Sequence, residues 1–339
     1  MVDMIVFLGE FALMAYTYFL IGHLSQYYTN TFGWNLHPQR KMALRLFLSY
    51  SAAFVCFDIW GTEAMVVLHL AALFVLLDIV NGVLYLLHIK DSSIWRHLYG
   101  SGLLVLAVFT CVMIYGSINM NHIVQTNYTI TTQKNIRQEG YRIAFLSDIH
   151  YGTVQDKAVL QSCISRINDQ EPDIVILGGD IVEEGTTKEE MQELFYYLGC
   201  LDAPNGIFFV YGNHDRQRDS DARTYTDQEL VAAIEANGIT ILEDETQLIN
   251  EDLMLIGRAD ASWEGNTSRA DIGKLIPEGQ ENRFLLTLDH QPLEVEENDT
   301  AGVDLMLSGH THAGQLFPVG YLTELCGKMN YGLYQTGNC

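Results

Sequence analysis

The stretch Phe145-Leu146-Ser147-Asp148-Ile149-His150 reads as a β-strand that ends in an Asp-x-His pair. Tyr141 to Leu146 supplies alternating and β-branched apolar residues, Tyr151-Gly152 supplies a turn, and a helical pattern starts near Asp156. Alternate residues of an extended segment point the same way, so Asp148 and His150 can reach one point beyond the strand. A carboxylate and an imidazole converging there suit a divalent transition metal.

Outward from this stretch, strands and helices alternate. Tyr141–Ser147, Asp173–Leu177 and Gly206–Tyr211 read as strands, with helices over Asp156–Gln170, Thr187–Leu201 and Thr226–Asn237. Thr240–Leu242, Leu253–Gly257, Phe284–Leu288 and Val303–Leu307 read as later strands. This is the pattern of a layered α/β domain. Polar motifs sit where the strands end: Gly178-Gly179-Asp180, Gly212-Asn213-His214-Asp215, Asp289-His290 and Ser308-Gly309-His310-Thr311-His312. Each alone is ordinary, a turn or a polar loop. Five strand ends delivering Asp, Asn or His after small residues describe one metal site, because ligands of open α/β sheets bind outside the carboxyl ends of strands.

Charge divides the chain. Residues 1–140 hold 7 acidic and 7 basic side chains, so the whole net charge of −23 lies in residues 141–339. An acidic surface repels phosphate backbones, so nucleic acid is not an expected partner. The six cysteines include no Cys-x-x-Cys. Cys56 and Cys111 fall in apolar runs, whereas Cys163, Cys200, Cys326 and Cys339 are either free thiols or, outside the cytoplasm, able to pair.

Four apolar runs, Met4–Leu24, Ala43–Trp60, Ala64–Ile89 and Leu98–Met120, approach the ~20 residues that span a bilayer. The expectation is a four-helix transmembrane region over residues 1–120, a polar linker or edge strand over 121–140, and an acidic α/β domain carrying the metal site over 141–339. Arg40, Lys41, Arg45, Lys90 and Arg96 follow helices one and three, against Lys134, Arg137 and Arg142 after helix four. That bias makes the odd loops cytoplasmic and the acidic domain extracytoplasmic in a multi-pass cell-membrane protein. Glu10, Asp58, His69 and Asp78 lie in or near the runs, as bundle contacts or functional groups. Three glycosylation sequons start at Asn127, Asn266 and Asn298.

The order Asp148-x-His150, Gly179-Asp180, Gly212-Asn213-His214-Asp215, His290, Gly309-His310-x-His312 resembles the calcineurin-like metallophosphoesterase family over about Tyr141 to Phe317. The membrane runs and the Gly-His-Thr-His-Ala-Gly-Gln form are similar to its membrane-anchored bacterial branch. The resemblance implies a four-layer αββα sandwich with a two-metal centre. By the same resemblance, Asp148, His150 and His312 hold one metal, and Asn213, His290 and His310 hold the other. Asp180 bridges both, His214 donates to the phosphate, and Asp215 orients His214. The implied activity is phosphoester or pyrophosphate hydrolysis by a metal-bridged hydroxide. Two metals acidify a shared water and clamp the reacting oxygens. A mixed N/O set suits two divalent ions, Mn2+ ahead of Fe or Zn2+.

Ala313 stands where that branch has a second glycine, and Tyr331–Cys339 reads as one strand and a turn without a partner strand, as in a truncated sheet. The expected partners are the lipid bilayer and a phosphorylated small molecule or lipid. Apolar Leu316–Leu322, Trp263, Arg216 and Arg218 are candidate substrate contacts, with a core strand or solvated loops as the plain alternative. A non-catalytic metal sensor and a transporter are the competing classes.

Overall fold

The computed structural model describes residues 2–57, 61–88, 93–152, 154–220, 222–262, 269–312, 319–327 and 329–339. The chain divides into two compact units, Met1–His122 and Ile123–Cys339.

The first unit is helical: α1 (Val2–Phe32), α2 (Pro38–Val55), α3 (Thr62–Leu86), α4 (Ser93–Ser101) and α5 (Leu103–Met120). Three of the described helices are long and apolar enough to cross a membrane, over Phe7–Phe32, Glu63–Leu86 and Leu103–Met120. This is one fewer than expected. The second run becomes α2, which opens on Pro38-Gln39-Arg40-Lys41 and carries Arg45, so its apolar part falls short of ~20 residues. The fourth run is divided at Gly102, whose left-handed backbone (φ 71°) ends α4 and starts α5. Asp78 accepts hydrogen bonds from the hydroxyls of Tyr16 and Tyr99, both at 2.8 Å, and so joins α1, α3 and α4 as a bundle contact. His69 contacts the Met65 carbonyl one turn earlier, and Glu10 is buried. Asp58 lies outside the described residues.

The second unit is built on two sheets. In the first, β1 (Ile143–Leu146), β2 (Ile174–Leu177), β3 (Ile207–Phe209) and β4 (Ile239–Ile241) run parallel in that order. The crossovers are α6 (Lys157–Asn168), α7 (Lys188–Leu198) and α8 (Asp227–Ala236). Their starts are capped as the sequence dictates. Asp156 accepts from two backbone N–H groups, and Thr187 with Glu190 and Thr226 with Glu229 form reciprocal capping boxes. In the second sheet, β5 (Glu245–Ile249) pairs antiparallel with β6 (Leu253–Gly257). Then β7 (Phe284–Leu288) and β8 (Leu305–Leu307) continue parallel. Short helices α9 (Ile272–Leu275), α10 (Val295–Thr300) and α11 (Val319–Leu325) complete the described elements.

The two-residue period of the strands produces the layers. On β2, Val175 and Leu177 face α6–α8, while Ile174 and Ile176 face the other sheet. On β6, Leu253 and Leu255 meet them, and Met254 and Ile256 face outward beneath Ile272 of α9. Three apolar clusters thus separate helices, sheet, sheet and helices. Both faces of each sheet are covered, which is why these strands are continuous apolar runs.

Other expectations change. Residues 121–140 form no strand, and from Ile123 they belong to the second unit, where Ile136 packs against the cluster between the sheets and Lys134 Nζ lies 2.6 Å from Asp304. Thr240–Leu242 contributes β4 to the first sheet, and Tyr331–Cys339 forms no strand. All six cysteines are free, so none of the open pairings forms.

Leu286 is fully buried between the sheets. Leu286→Ala is expected to cost about 2–5 kcal/mol in chemical denaturation of the full chain, against less than about 1 kcal/mol for Leu248→Ala on the exposed side of β5.

Candidate metal centre

Every parallel strand except β4 and β6 ends in a motif residue, and the turns that follow have unusual backbone. Asp148, His150, Asp180, His310 and His312 all have positive φ (55°, 46°, 51°, 71° and 46°). Left-handed backbone costs a non-glycine residue about 1–2 kcal/mol, so it persists only where surrounding contacts enforce it. One enforcing contact is Asp215, which is fully buried. Its Oδ2 accepts from the N–H groups of Gly212 (2.6 Å) and Asp180 (2.9 Å), and its Oδ1 from those of Ile181 (2.8 Å) and Val182 (3.2 Å). Backbone bonds from Asp148 and His150 to the Gly179 and Asp180 carbonyls (3.0 and 3.1 Å) are others, and close approach constrains the β8 end. A Cβ on Gly309 would lie 1.9 Å from Ser147 Oγ and 2.3 Å from Asp148 Oδ2, so only glycine fits there.

The turns bring together two groups of side chains, Asp148/His150/His312 and Asp180/His290/His310, each able to direct one ligand atom at a common point. In the first, His312 Nε2 is 3.1 Å from Asp148 Oδ1 and 3.3 Å from His150 Nε2. In the second, His290 Nε2 is 2.9 Å from Asp180 Oδ2. The same oxygen lies 4.0 Å from His150 Nε2, so Asp180 stands between the groups. His310 anchors its loop by donating its N–H to Asp148.

The donor set fits divalent cations. His290 Nδ1 donates to the Gly178 carbonyl (2.8 Å), and His150 Nδ1 lies 3.0 Å from Glu183 Oε2. Both rings therefore donate from Nδ1 and turn Nε2 toward the carboxylates, the arrangement of metal-binding histidines. Asn213 Oδ1, on the turn after β3, is buried without a hydrogen-bond partner. A buried amide oxygen left unpaired costs about 1–3 kcal/mol, which a cation would recover.

Electrostatics follow from this crowding. Burial opposes ionisation of Asp148, but a hydrogen bond from His312 and the nearby His290 bring its carboxyl down to about 2. Burial likewise opposes protonation of His290 and His214. The Asp180 carboxylate nevertheless raises His290 to about 9, and Glu184, helped by Asp180 and Glu183, raises His214 to about 9. Burial and the like charge of Asp180 raise Asp215. Burial and His290 lower His310.

His214 lies beside the two groups, its ring centroid 5.3 Å from that of His150. Its Nδ1 is 2.6 Å from Glu184 Oε2. The carboxylate that meets this imidazole is thus Glu184 and not the expected Asp215, whose oxygens accept from backbone N–H groups. Sequence reasoning passed over Glu183 and Glu184, although they directly follow Asp180-Ile181-Val182. Arg216 is committed elsewhere, bidentate to Glu243 at 2.7 Å and stacked over Tyr211 at 3.8 Å. Trp263 and Leu316–Pro318 lie outside the described residues.

With its pKa raised to about 9, His290 is protonated at neutral pH in the metal-free protein. A cation at Nε2 must displace that proton, so apparent metal affinity is expected to rise up to about tenfold per pH unit toward pH 9 for each proton released. Calorimetric titration of Mn2+ in buffers of different ionisation enthalpy counts the protons.

The calcineurin-like phosphoesterase family matches residues 141–314. Over 196 residues the chain is 30% identical to an uncharacterized metallophosphoesterase of Helicobacter pylori, covering 57% of this chain and 50% of that protein. It is 31% identical over 179 residues to the phosphodiesterase YaeI of Escherichia coli (52% and 62% covered). It is 28% identical over 208 residues to a transmembrane protein with metallophosphoesterase domain of Danio rerio (58% and 46%). The chain spans about half the length of the curated relatives it matches first. The match takes in all five strand-end motifs of the metal centre up to His312, and the chain belongs to the calcineurin-like phosphoesterase family.

Proposed function

We propose that this protein is a membrane-anchored, two-metal phosphohydrolase. The observation that carries the reading is the convergence of six Asp and His side chains in two groups with Asp180 Oδ2 between them. In this reading Asp148, His150 and His312 would hold one cation, Asn213, His290 and His310 would hold the other, and Asp180 would serve both. Mn2+ suits the mixed N/O set first, with Fe or Zn2+ as substitutes. The bound pair supplies a nucleophile at neutral pH and neutralises phosphoryl oxygens.

The chain's own residues do the rest. Glu184 holds the Nδ1–H of His214, which leaves Nε2–H to donate to the phosphoryl group or the departing oxygen. Asp148 and Asp180 remain carboxylates throughout the neutral range, since Asp148 is held near 2 and Asp180 is lowered by His290 against its burial. Asp215 fixes the Asp180 turn without touching substrate. The substrate class we assign is a phosphodiester or pyrophosphate carried on a lipid, supported by three apolar helices in the same chain and by the YaeI and transmembrane relatives. We also take α2 as a fourth crossing, which puts the acidic domain outside. Support comes from Arg45, whose charge is shielded by the Tyr18 carbonyl (3.1 Å) and ring (3.9 Å).

Metal content and phosphodiesterase activity measured on one preparation test the centre. Wild type should carry two Mn2+ and turn over an aryl phosphodiester. Asp180→Asn should lose metal. His214→Ala should keep metal and lose about 10²–10⁴-fold in kcat. Wild type without metal, or without turnover of aryl, nucleotide and lipid phosphates, would end the proposal. Glu184→Gln removes the anion that raises His214, so the alkaline limb of the pH–rate profile should move to lower pH. Cys200 is exposed, and a membrane-impermeant maleimide should label it in intact cells if the domain is outside. Labelling only after lysis rejects the fourth crossing.

A further inference from the structure

Asp289 and His290 follow β7 in succession, so their side chains leave the strand on opposite faces. His290 turns inward to Gly178 and Asp180. Asp289 turns outward and is 1% exposed. Arg269 grips both of its carboxylate oxygens, Nη1 at 3.1 Å from Oδ1 and Nη2 on Oδ2. Arg269 also lies 3.5 Å from Glu294 Oε2, which accepts from Arg258 Nη2 at 2.8 Å. The Arg258 side chain is fully buried, and its Nε is 3.8 Å from Asp244 Oδ1. Asp244 in turn accepts from the N–H groups of Ala259 (3.0 Å) and Ala270 (2.7 Å). The guanidiniums of Arg269 and Arg258 donate to the carbonyls of the same two residues, at 3.2 and 2.9 Å.

Two permanently charged guanidiniums and three carboxylates thus occupy the outer side of the second sheet, directly behind a proposed cation ligand. Such a cluster is not an economical source of stability, because desolvation offsets most of its attraction. Its geometry is specific, however. The planar fork of arginine fixes a carboxylate in direction as well as distance. Asp289 donates its own N–H to Leu307 of β8, and Gly309, the residue before His310, donates to the His290 carbonyl. Any shift of Asp289 is therefore passed to both histidines of the second group.

We propose that Arg269 and Arg258 are positioning residues of the phosphoesterase centre. Through Asp289 and Glu294 they set His290, and with it the His310 turn, at the cation position shared with Asp180. This rests on the two-metal reading above, and the residues act without touching cation or substrate.

The test uses the full chain in detergent and the metal alone. In Arg269→Ala, Mn2+ occupancy should fall from two toward one. The second binding step should weaken about 10–100-fold, as for lost outer-shell partners of metal ligands. Arg269→Lys keeps charge without the fork and should recover only part of that loss. The double variant Arg269→Met/Asp289→Leu removes both charges. It should restore the thermal midpoint yet leave the second Mn2+ weak. Full recovery of both midpoint and affinity in the double variant would show that the pair only compensates charge, and would overturn the proposal. Two tightly held Mn2+ in a folded Arg269→Ala protein would do the same. Hydrogen exchange separates this from failure of the metal reading. If wild type holds no Mn2+, that reading falls. The amides of Asp289 and Gly309 still decide positioning, with exchange about tenfold faster in Arg269→Ala expected and unchanged exchange contrary to it.

Discussion

The Asp215 carboxylate is the constraint on which the centre depends. It is fully buried, close to Asp180, and faces four backbone N–H groups from two strand ends. Burial alone would neutralise such a group, and the Asp180 charge pushes the same way. The N–H groups oppose this by stabilising the anion, each charge-assisted bond being worth more than a neutral one. They also gain from it, since the turns after β2 and β3 have no sheet partner for those donors. Without this acceptor, the left-handed backbone at Asp180 would keep only the bonds of its carbonyl to the His150 N–H and of its carboxylate to the His214 N–H, and the carboxylate between the two groups would be less firmly directed.

The same logic extends around the site. Left-handed turns at Asp148, His150, His310 and His312 redirect side chains that an extended strand would send up and down alternately. Gly309 lets the β8 end lie against Ser147 and Asp148. The two sheets therefore meet at their carboxyl edges with almost no space for side chains other than the polar ones. Strain of this kind is tolerated because two apolar sheet faces, packed on Ile174, Ile176, Leu255 and Leu286, hold the strands rigid behind it.

Much of this was legible in the sequence. Continuous apolar strands followed by Gly, Asp, Asn or His announce both the parallel sheets and the edge where their ends meet, because burial on two faces and chemistry at the strand end impose separate patterns. Strand β5 was not legible. Glu245-Thr246-Gln247 is polar because it lies at an exposed edge, and its identity comes from pairing with β6. Thr240–Leu242 could not be assigned to a sheet, since three residues carry no partner information. The division at Gly102 was visible only as Gly100-Ser101-Gly102 near the start of an apolar run, where composition outweighs a short backbone break. The roles of Asp215 and Glu184 illustrate a sharper limit. The family resemblance pointed to Asp215, but successive residues on a turn point apart, and the carboxylate that meets the imidazole comes from another strand end, 30 residues away in the chain.

The charge distribution gives the centre a further property. All of the net charge of −23 lies with residues 141–339, and at the site itself Asp148, Asp180, Glu183 and Glu184 crowd around the histidines. Phosphate esters are anions, so the domain's field opposes their approach, screened beyond about 8 Å at physiological salt. Only positive charge inside the centre can reverse the local sign. His214 and His290 supply some while protonated, but His290 gives up its proton to any cation that takes its Nε2. In the two-metal reading, substrate binding is therefore conditional on metal, and His214, which Glu184 keeps charged in the metal-free protein, is the positive group of the site that no cation needs as a ligand.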